Sequence, residues 1–409
     1  MIYRARRYDT KEWVQVSVEK GLIQNVISVD SSHQAANPDE KDVLWIAPGL
    51  IDLQINGYRG TEFSSSELTE EKVVDVFRQV LTTGVFRFCP TLTTSSPENM
   101  LHGIQTVTQA VRNCPEIQTM MLGIHLEGPF ISRENGPSGA HPQQFCIPYD
   151  LSLMDRFINA SDGLIRMMTL SPEYENATEF IRHLTSQNIF VALGHTNATP
   201  IQIAQAVDAG AVISTHLCNA THHMLSKKEN YFLTQLVDDR LFASLIADGF
   251  HLSPMMLQTI FRTKGKEQLI LISDQAAVAG LPPGNYNNIG LCDLMIHSNG
   301  KITTQKNPLL LAGASFPVSR GLVNMMTIAD LSLKAAFDLC SINPAKLMQI
   351  SKFSNSNNDF LQAGTSADFL IFRIQSAKTG TWGLADTEGF QPGKLLFESI
   401  VYKGKNVLI

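Results

Sequence analysis

The stretch IFVALGHTNATPIQIAQAVDAGAVISTH (189–216) carries the pattern that decides the fold. It opens with an apolar run at 189–195, continues through a helix-like segment, and closes with a second apolar run at 211–216. Near-continuous apolar strands on either side of a helix indicate a parallel βαβ unit whose sheet is covered on both faces. Each of the two runs ends in a histidine, so the unit places a chemically active side chain at the end of each strand.

This unit recurs along most of the chain. Helix candidates such as EEKVVDVFRQVLTTG (70–84) separate eight apolar runs, and eight such units predict an α/β fold, a closed (β/α)8 barrel of the TIM type. The runs are APGLIDL (47–53), VFRFCPTL (85–92), TMMLGIHLE (119–127), LIRMMTLS (164–171), IFVALGH (189–195), AVISTH (211–216), FASLIAD (242–248) and LILISD (269–274).

Both ends of the chain have a different pattern. WVQVSVEKGLIQNVISV (13–29) alternates apolar and polar residues around a Gly-containing turn, and the C-terminal segments ADFLIF and FESIVYKGKNVLI are similar. Alternation with a period of two predicts antiparallel strands. We expect residues 1–46 and 355–409 to pair into one small β-sandwich domain beside a barrel at 47–354. The stretch SKFSNSNNDF (351–360) predicts a polar loop near the second boundary.

Composition favours a metabolic enzyme in the cytoplasm. The chain has 409 residues, of which 44% are hydrophobic, so it can bury a large core. Its 32 Lys+Arg against 38 Asp+Glu give a net charge of −6, which disfavours nucleic-acid binding. No apolar run approaches the roughly 18 residues of a membrane helix, and the N-terminus lacks the apolar core of a secretory signal. Six scattered cysteines predict reduced thiols, not disulfides or a zinc knuckle.

The chemically active residues should meet at one end of the barrel, because active sites of this fold lie at the C-terminal ends of the strands. One Glu and two His can hold a divalent ion and leave a position for water, and an Asp beside it can move a proton. A single strand histidine is more often a hydrogen-bonded core residue, but burying several ionisable groups together without a metal or substrate is costly. The candidates are Asp52, Gln54, Asn56, His125, Glu127, His195, His216, Asp248, His251 and Asp274.

The motifs around these residues resemble, in order, the signatures of N-acetylglucosamine-6-phosphate deacetylases, a family of the amidohydrolase superfamily. A single motif would be weak support, but the ordered set from about residue 45 to 372 is specific. The motifs are IAPGLIDLQINGYRGTEF (46–63), GIHLEGPFIS (123–132), GAHP (139–142), LGHTNAT (193–199), THLCNAT (215–221), IADGFH (246–251), SDQAAVAGLPPGNY (273–286), LAGASFPVS (311–319), NPAK (343–346) and GTSADFLIF (364–372).

The resemblance implies a role for each matched residue and one divalent metal ion per subunit. Zn²⁺ is the first candidate, and Fe²⁺, Co²⁺ or Mn²⁺ would suit the same ligands. Gln54 and Asn56 stand where related enzymes hold a second metal, and neither is a good transition-metal ligand. The matched roles are metal binding by Glu127, His195 and His216; acid/base catalysis by Asp274; contact near the scissile amide by His141; and sugar or phosphate binding by Asn219, Ala220 and His251.

The implied reaction is hydrolysis of the acetamide of N-acetylglucosamine 6-phosphate. A water activated by the metal attacks a carbonyl polarised by the metal and by His141, and Asp274 carries the proton to nitrogen. The family also implies a homodimer in which a loop of one subunit reaches the phosphate in the other.

That loop departs from the family here. It reads NATHHMLSKKENYF (219–232), with Lys227 near the position of the family's phosphate-binding Arg. A solvated charged loop and a phosphate-binding Lys227 are both open interpretations, as are a surface and a substrate-facing position for His222 and His223. Two alternative functions remain: an amidohydrolase acting on an unphosphorylated or epimeric N-acetylhexosamine or another N-acyl compound, and a non-catalytic binding paralogue.

Overall fold

The computed structural model describes residues 1–29, 43–289, 292–350, 359–377 and 391–408. In chain order its strands are β1 (Ile2–Arg7), β2 (Trp13–Glu19), β3 (Leu22–Ser28), β4 (Trp45–Ala47), β5 (Leu50–Ile55), β6 (Gly57–Tyr58), β7 (Thr61–Glu62), β8 (Val85–Thr93), β9 (Ile124–Glu127), β10 (Ile165–Leu170), β11 (Phe190–Leu193), β12 (Ala211–Ser214), β13 (Phe242–Ile246), β14 (Leu269–Ile272), β15 (Gly284–Tyr286), β16 (Leu294–Ile296), β17 (Ile302–Thr304), β18 (Phe369–Gln375), β19 (Lys394–Tyr402) and β20 (Lys405–Asn406).

Eight of these strands form the predicted barrel. They lie in the order β5-β8-β9-β10-β11-β12-β13-β14, the neighbouring pairs are parallel, and each corresponds to one of the eight apolar runs. The barrel closes between its last and first strands, where Ile55 and Gln275 form a parallel bridge. The backbone N–H of Asp274 also donates to the carbonyl oxygen of Gln54, at 3.0 Å. The (β/α)8 prediction is confirmed.

Helices alternate with the barrel strands. The helix in the stretch quoted first begins after Thr199, whose side chain accepts the backbone N–H of Gln202 while the Gln202 side chain accepts that of Thr199, and it ends at Gly210 with φ 119°. No helix of the described segments is long and apolar enough to cross a bilayer. The helices are α1 (Glu70–Leu81), α2 (Pro97–Asn113), α3 (Pro115–Gln118), α4 (Leu151–Ser161), α5 (Ala177–Ser186), α6 (Pro200–Ala209), α7 (Tyr231–Val237), α8 (Pro254–Lys264), α9 (Val318–Ile328), α10 (Leu333–Asp338) and α11 (Ile342–Leu347).

The two chain ends form a second β-structure, as predicted. Its seven strands lie in the order β20-β19-β18-β4-β1-β2-β3, so β4 joins the N-terminal strands to the C-terminal ones. An antiparallel bridge between Leu22 and Ser366 brings β3 back against the chain that leads into β18, and the sheet closes around its own apolar core. The polar loop predicted at 351–360 and the domain boundary after residue 354 fall largely outside the described residues, so both stay predictions.

A three-stranded antiparallel sheet interrupts the barrel pattern after β14. It comprises β15, β16 and β17, and its apolar residues Leu294, Ile296 and Ile302 pack on Ala276 and Val278 beside the barrel mouth. This insertion was not predicted from the sequence, because strands of three residues are too short to show a clear period of two. Its position puts the segment after β17 next to the end of the barrel where the candidate residues lie.

Candidate active site

Three of the candidate residues follow barrel strands in an unusual backbone conformation. His195, His216 and Asp274 are each the second residue after β11, β12 and β14, with φ of 49°, 31° and 53°. Residues other than glycine seldom adopt the left-handed region, and such strain persists where the surrounding fold imposes it. The turn at each strand end aims all three side chains into the barrel mouth, where they meet Glu127 at the end of β9.

Three ligand atoms converge on one point. Oε1 of Glu127 lies 3.2 Å from Nε2 of His195 and 3.0 Å from Nε2 of His216, and the two Nε2 atoms are 3.1 Å apart. Ligands about 2.05 Å from a tetrahedral ion lie about 3.3 Å from one another. The spacing of these atoms therefore fits a divalent metal ion bound by Glu127, His195 and His216.

The hydrogen bonds around the histidines support the same conclusion. Nδ1 of His195 is 2.9 Å from the carbonyl oxygen of Pro137, which fixes the proton on Nδ1 and leaves the lone pair of Nε2 facing the cluster. Nδ1 of His216 is buried and has no hydrogen-bond partner among the described residues. Two imidazole nitrogens and a carboxylate oxygen this close together are stable only with positive charge between them, supplied either by shared protons or by a metal ion.

Glu127 is held as a carboxylate. Burial alone would raise its pKa, but the hydrogen bonds of His195 and His216 and their charge outweigh burial and hold the pKa well below the ordinary value. The pKa of His216 is raised: burial would lower it, and its bond to Glu127 more than compensates. The cluster thus presents a permanently ionised oxygen together with imidazole nitrogens, which is the donor set that a borderline divalent ion prefers.

Gln54 and Asn56 connect the two carboxylates of the site. The Gln54 amide nitrogen donates to Oε1 of Glu127 at 2.8 Å and to Oδ1 of Asp274 at 3.0 Å, and the Asn56 amide nitrogen donates to the same Oδ1 at 2.8 Å. From the sequence this pair was expected only to be poor metal ligands, and its role as hydrogen-bond donors was not predicted. Their spacing of two residues at a strand end, which points both side chains to one face, is the signal that could have shown it.

The pKa of Asp274 suits proton transfer. Burial, followed by the nearby charge of Glu127, raises its pKa to about 6. A carboxylate with a pKa near neutrality can accept a proton and release it again at physiological pH. Both amide donors bind Oδ1, so Oδ2 is the oxygen left to handle a proton.

His141 lies within reach of the same cluster. Ligand atoms of Glu127, His141 and His195 all lie within 4.8 Å of one another, so distance alone would also allow His141 as a metal ligand. However, Nδ1 of His141 accepts the backbone N–H of Thr94 at 3.3 Å, which places the proton of the neutral ring on Nε2. Burial, and then the charge of His195, lowers the pKa of His141 to about 3, so the ring is neutral and Nε2 is a donor.

Asp248 and His251 form a pair after β13. Nδ1 of His251 donates to Oδ2 of Asp248 at 3.0 Å, and Oδ1 of Asp248 accepts the backbone N–H of Phe250 and of His251. Burial would lower the pKa of His251, but the charge of Asp248 outweighs it and raises the pKa. The aspartate therefore orients His251 and favours its charged form.

Two candidates lie inside the barrel, below the site. His125 places Nε2 2.8 Å from Oγ1 of Thr169 and Nδ1 3.2 Å from the carbonyl oxygen of Leu53, so both ring nitrogens are engaged. Asp52 accepts the backbone N–H of Ser273, and burial raises its pKa to about 7. Both residues are part of the hydrogen-bonded interior and do not line the cavity at the barrel mouth.

The site opens into a cavity of about 1050 Å³. Lys227 is exposed and does not line this cavity of its own chain, whereas Lys306, which was not predicted from the sequence, lines it. Both His222 and His223 line it, in agreement with the substrate-facing interpretation. The candidate residues found in its wall are Asn56, Glu127, His141, His195, His216, Asn219, Ala220, His251 and Asp274.

Known proteins resemble this chain in both sequence and fold. The profile of the amidohydrolase family matches residues 45–394. The N-acetylglucosamine-6-phosphate deacetylase of Bos taurus is 33% identical over 338 residues, 80% of this chain and 79% of that protein. The Danio rerio enzyme of the same name is 31% identical over 376 residues, covering 88% and 89%.

A solved structure shows the same architecture. It is a mutant of N-acetyl-D-glucosamine-6-phosphate deacetylase from Mycobacterium smegmatis in complex with N-acetyl-D-glucosamine-6-phosphate, and it covers 97% of this chain and 94% of its own with a TM-score of 0.78. At 24% identity this likeness concerns the fold alone.

Proposed function

This chain belongs to the amidohydrolase family, and we propose that it hydrolyses the acetamide bond of N-acetylglucosamine 6-phosphate to give acetate and glucosamine 6-phosphate. The observation that carries the reaction type is the convergence of Oε1 of Glu127 with Nε2 of His195 and His216, beside a carboxylate with a pKa of about 6. The choice of substrate rests on the names of the vertebrate relatives, whose sequences match this chain over most of its length and of their own.

Glu127, His195 and His216 are the residues we propose to hold one divalent ion, with Zn²⁺ as the first candidate. When bound, such an ion supplies Lewis-acid activation of water and of a carbonyl group. His141 is excluded from this set because its Nε2 carries a proton while Nδ1 accepts from Thr94. Gln54 fixes the orientation of Glu127, and a hydrogen-bonded outer shell of this kind supports metal affinity.

Two side chains do the remaining chemistry. Asp274 takes a proton from the attacking water through Oδ2 and delivers it to the amide nitrogen, so that the C–N bond breaks and the amine leaves neutral. Gln54 and Asn56 hold Oδ1 of Asp274 in place during both transfers. His141 donates its Nε2–H to the carbonyl oxygen as negative charge develops there, and a neutral donor already in position needs no reorganisation.

The sugar is proposed to lie along the remaining cavity wall. Asn219 donates its amide N–H to the carbonyl oxygen of His216 at 3.0 Å, which leaves its own oxygen for a sugar hydroxyl. Ala220 adjoins it with φ of 49°. His251, kept charged by Asp248, is suited to bind an anionic group.

The test is release of acetate by the purified, metal-reconstituted protein. N-acetylglucosamine 6-phosphate, N-acetylgalactosamine 6-phosphate and N-acetylglucosamine are supplied separately, and Asp274→Asn is the matched control that keeps the side-chain shape but removes the base. We expect the wild type to act best on the first substrate and the control to lose about 10²-fold or more in rate. Equal turnover of the unphosphorylated sugar would replace the substrate, and an active Asp274→Asn enzyme would refute the mechanism.

The alternative of an unphosphorylated or epimeric N-acetylhexosamine or another N-acyl compound is not favoured, because the vertebrate relatives are named for N-acetylglucosamine 6-phosphate. We further propose a homodimer, supported by apolar side chains exposed beside the cavity: Met224 is 91% exposed and Leu309 is 86% exposed.

A cytoplasmic location is supported by the six cysteines, all of them free. Sedimentation and cell fractionation test these two proposals.

A further inference from the structure

We propose that Lys306 is the residue that recognises the phosphate of the substrate, a role for which Lys227 was one of two open interpretations of the sequence. The inference rests on the proposed function, because it names the specificity residue of the same site. Among the described residues, Lys306 is the only lysine or arginine in the wall of the cavity, whereas Lys227 and Lys228 lie outside the cavity of their own chain and would reach a phosphate only across the proposed dimer.

The charge balance of the cavity requires such a cation. Glu127 and Asp274 are carboxylates, and together they offset the charge of a divalent ion between the ligands. His251 is charged only as the partner of Asp248, so that pair adds no net charge. A phosphate dianion entering this cavity therefore needs a further positive group, and Lys306 is available to provide it.

The backbone on both sides of Lys306 is fixed by hydrogen bonds. The side-chain amide of Gln305 donates to Oδ1 of Asn287 at 2.8 Å and to the carbonyl oxygen of Leu294 at 3.0 Å. Asn307 exchanges two bonds with Thr304: its carbonyl accepts the hydroxyl and its N–H donates to the hydroxyl oxygen, both at 3.1 Å. The lysine thus projects from a preorganised turn, and little backbone ordering is needed when a ligand binds.

The same segment leads directly to the proton-transfer residue. The backbone N–H of Ala314 donates to the carbonyl oxygen of Asp274 at 2.8 Å. At Gly313 an added Cβ would lie 2.9 Å from that oxygen, so the chain passes in close contact. One wall of the cavity therefore runs from Asp274 to Lys306, and a substrate with an amide at one end and a phosphate at the other can touch both.

The experiment compares phosphorylated and unphosphorylated N-acetylglucosamine on matched variants. Lys306→Ala is expected to lower kcat/KM for the phosphorylated sugar by about 10- to 100-fold, the effect of losing one charged hydrogen bond, and to leave the unphosphorylated sugar unchanged. Lys306→Arg keeps the charge and should retain much of the selectivity. Lys301→Ala is the control, because it removes the same charge from the same insertion outside the cavity.

A binding measurement separates recognition from chemistry. In an Asp274→Asn background, calorimetry with N-acetylglucosamine 6-phosphate should show a 10- to 100-fold weaker Kd for Lys306→Ala, and a flatter dependence of Kd on salt. If the wild type releases no acetate from the phosphorylated sugar, the proposed function fails. If the wild type is active but Lys306→Ala behaves like it, or Lys227→Ala loses the selectivity instead, the assignment of Lys306 is wrong and the function stands.

Discussion

Removing the amide of Asn56 should shift the pH profile of the enzyme in a defined direction. Asn56 donates a single hydrogen bond of 2.8 Å to Oδ1 of Asp274, a carboxyl group whose pKa is already raised to about 6. That bond stabilises the ionised form of Asp274, so Asn56→Ala must raise the pKa further. A general base works only when it is ionised, and the acid limb of kcat/KM therefore moves to higher pH.

The size of the shift follows from the kind of bond that is lost. A hydrogen bond to a charged group contributes about 1.5–3 kcal/mol, and one pKa unit corresponds to about 1.4 kcal/mol, so we expect the limb to move by about one to two units. With a one-unit shift the variant would be about tenfold slower than wild type near pH 5 and about equal to it near pH 9.

Gln54→Leu provides the contrast, because Gln54 donates to Glu127 as well as to Asp274. Both variants should move the acid limb, but only Gln54→Leu should weaken metal binding, by about 10- to 100-fold. The assay is acetate release against pH on metal-saturated enzyme, with metal affinity measured by competition with a chelator. If the acid limb of kcat/KM does not move in Asn56→Ala, or if both variants lose metal affinity equally, these amides do not act on the carboxylates as described.

Three further predictions concern other parts of the molecule. His216→Ala should lose most of the bound metal, measured by elemental analysis, while His141→Ala should keep one ion per chain and lose turnover; the reverse result would exchange their roles. Asp248→Asn should lower the pKa of His251, because the charge that raises it is removed. As pH increases, KM for the phosphorylated sugar should therefore begin to rise at a lower pH than in wild type. An unchanged pH profile of KM would mean that His251 does not bind the substrate as a cation. Gly103→Ala places a Cβ 2.4 Å from a backbone oxygen and should destabilise the fold by about 1–3 kcal/mol, despite the better helix propensity of Ala; a raised Tm would contradict this packing.

The barrel could be predicted because its strands are buried on both faces and so form continuous apolar runs, as β11 and β12 do. The meeting of the side chains at the strand ends could be predicted from the same eight runs, since parallel strands bring their carboxyl ends together. The cavity wall formed by the segment after β17 could not be predicted in this way. Lys306 lies in a turn whose position depends on side-chain bonds of Gln305 to distant backbone, and no local pattern records such contacts.

The local sequence pattern also could not show that His141, and not His125, lies beside the metal cluster. His125 stands two residues before Glu127 on the same face of β9, yet its side chain lies deeper in the barrel, where it contacts Thr169. His141 belongs to no strand and reaches the cluster through a loop, where Thr94 sets its tautomer. The resemblance to a family supplied His141; the residues alone would not have.

The place of β4 in the end sheet has a consequence for synthesis on the ribosome. β4 lies between β1 and β18, and its final residue, 47, is separated from the first residue of β18, 369, by 322 positions (369 − 47). At about 5–20 residues per second, translation leaves one edge of β4 without its partner for about 16–64 s, a period in which the whole barrel emerges. An open strand edge is a template for wrong pairing. The nascent chain therefore depends on rapid closure of the barrel, or on a chaperone, to keep that edge covered until the last strands arrive.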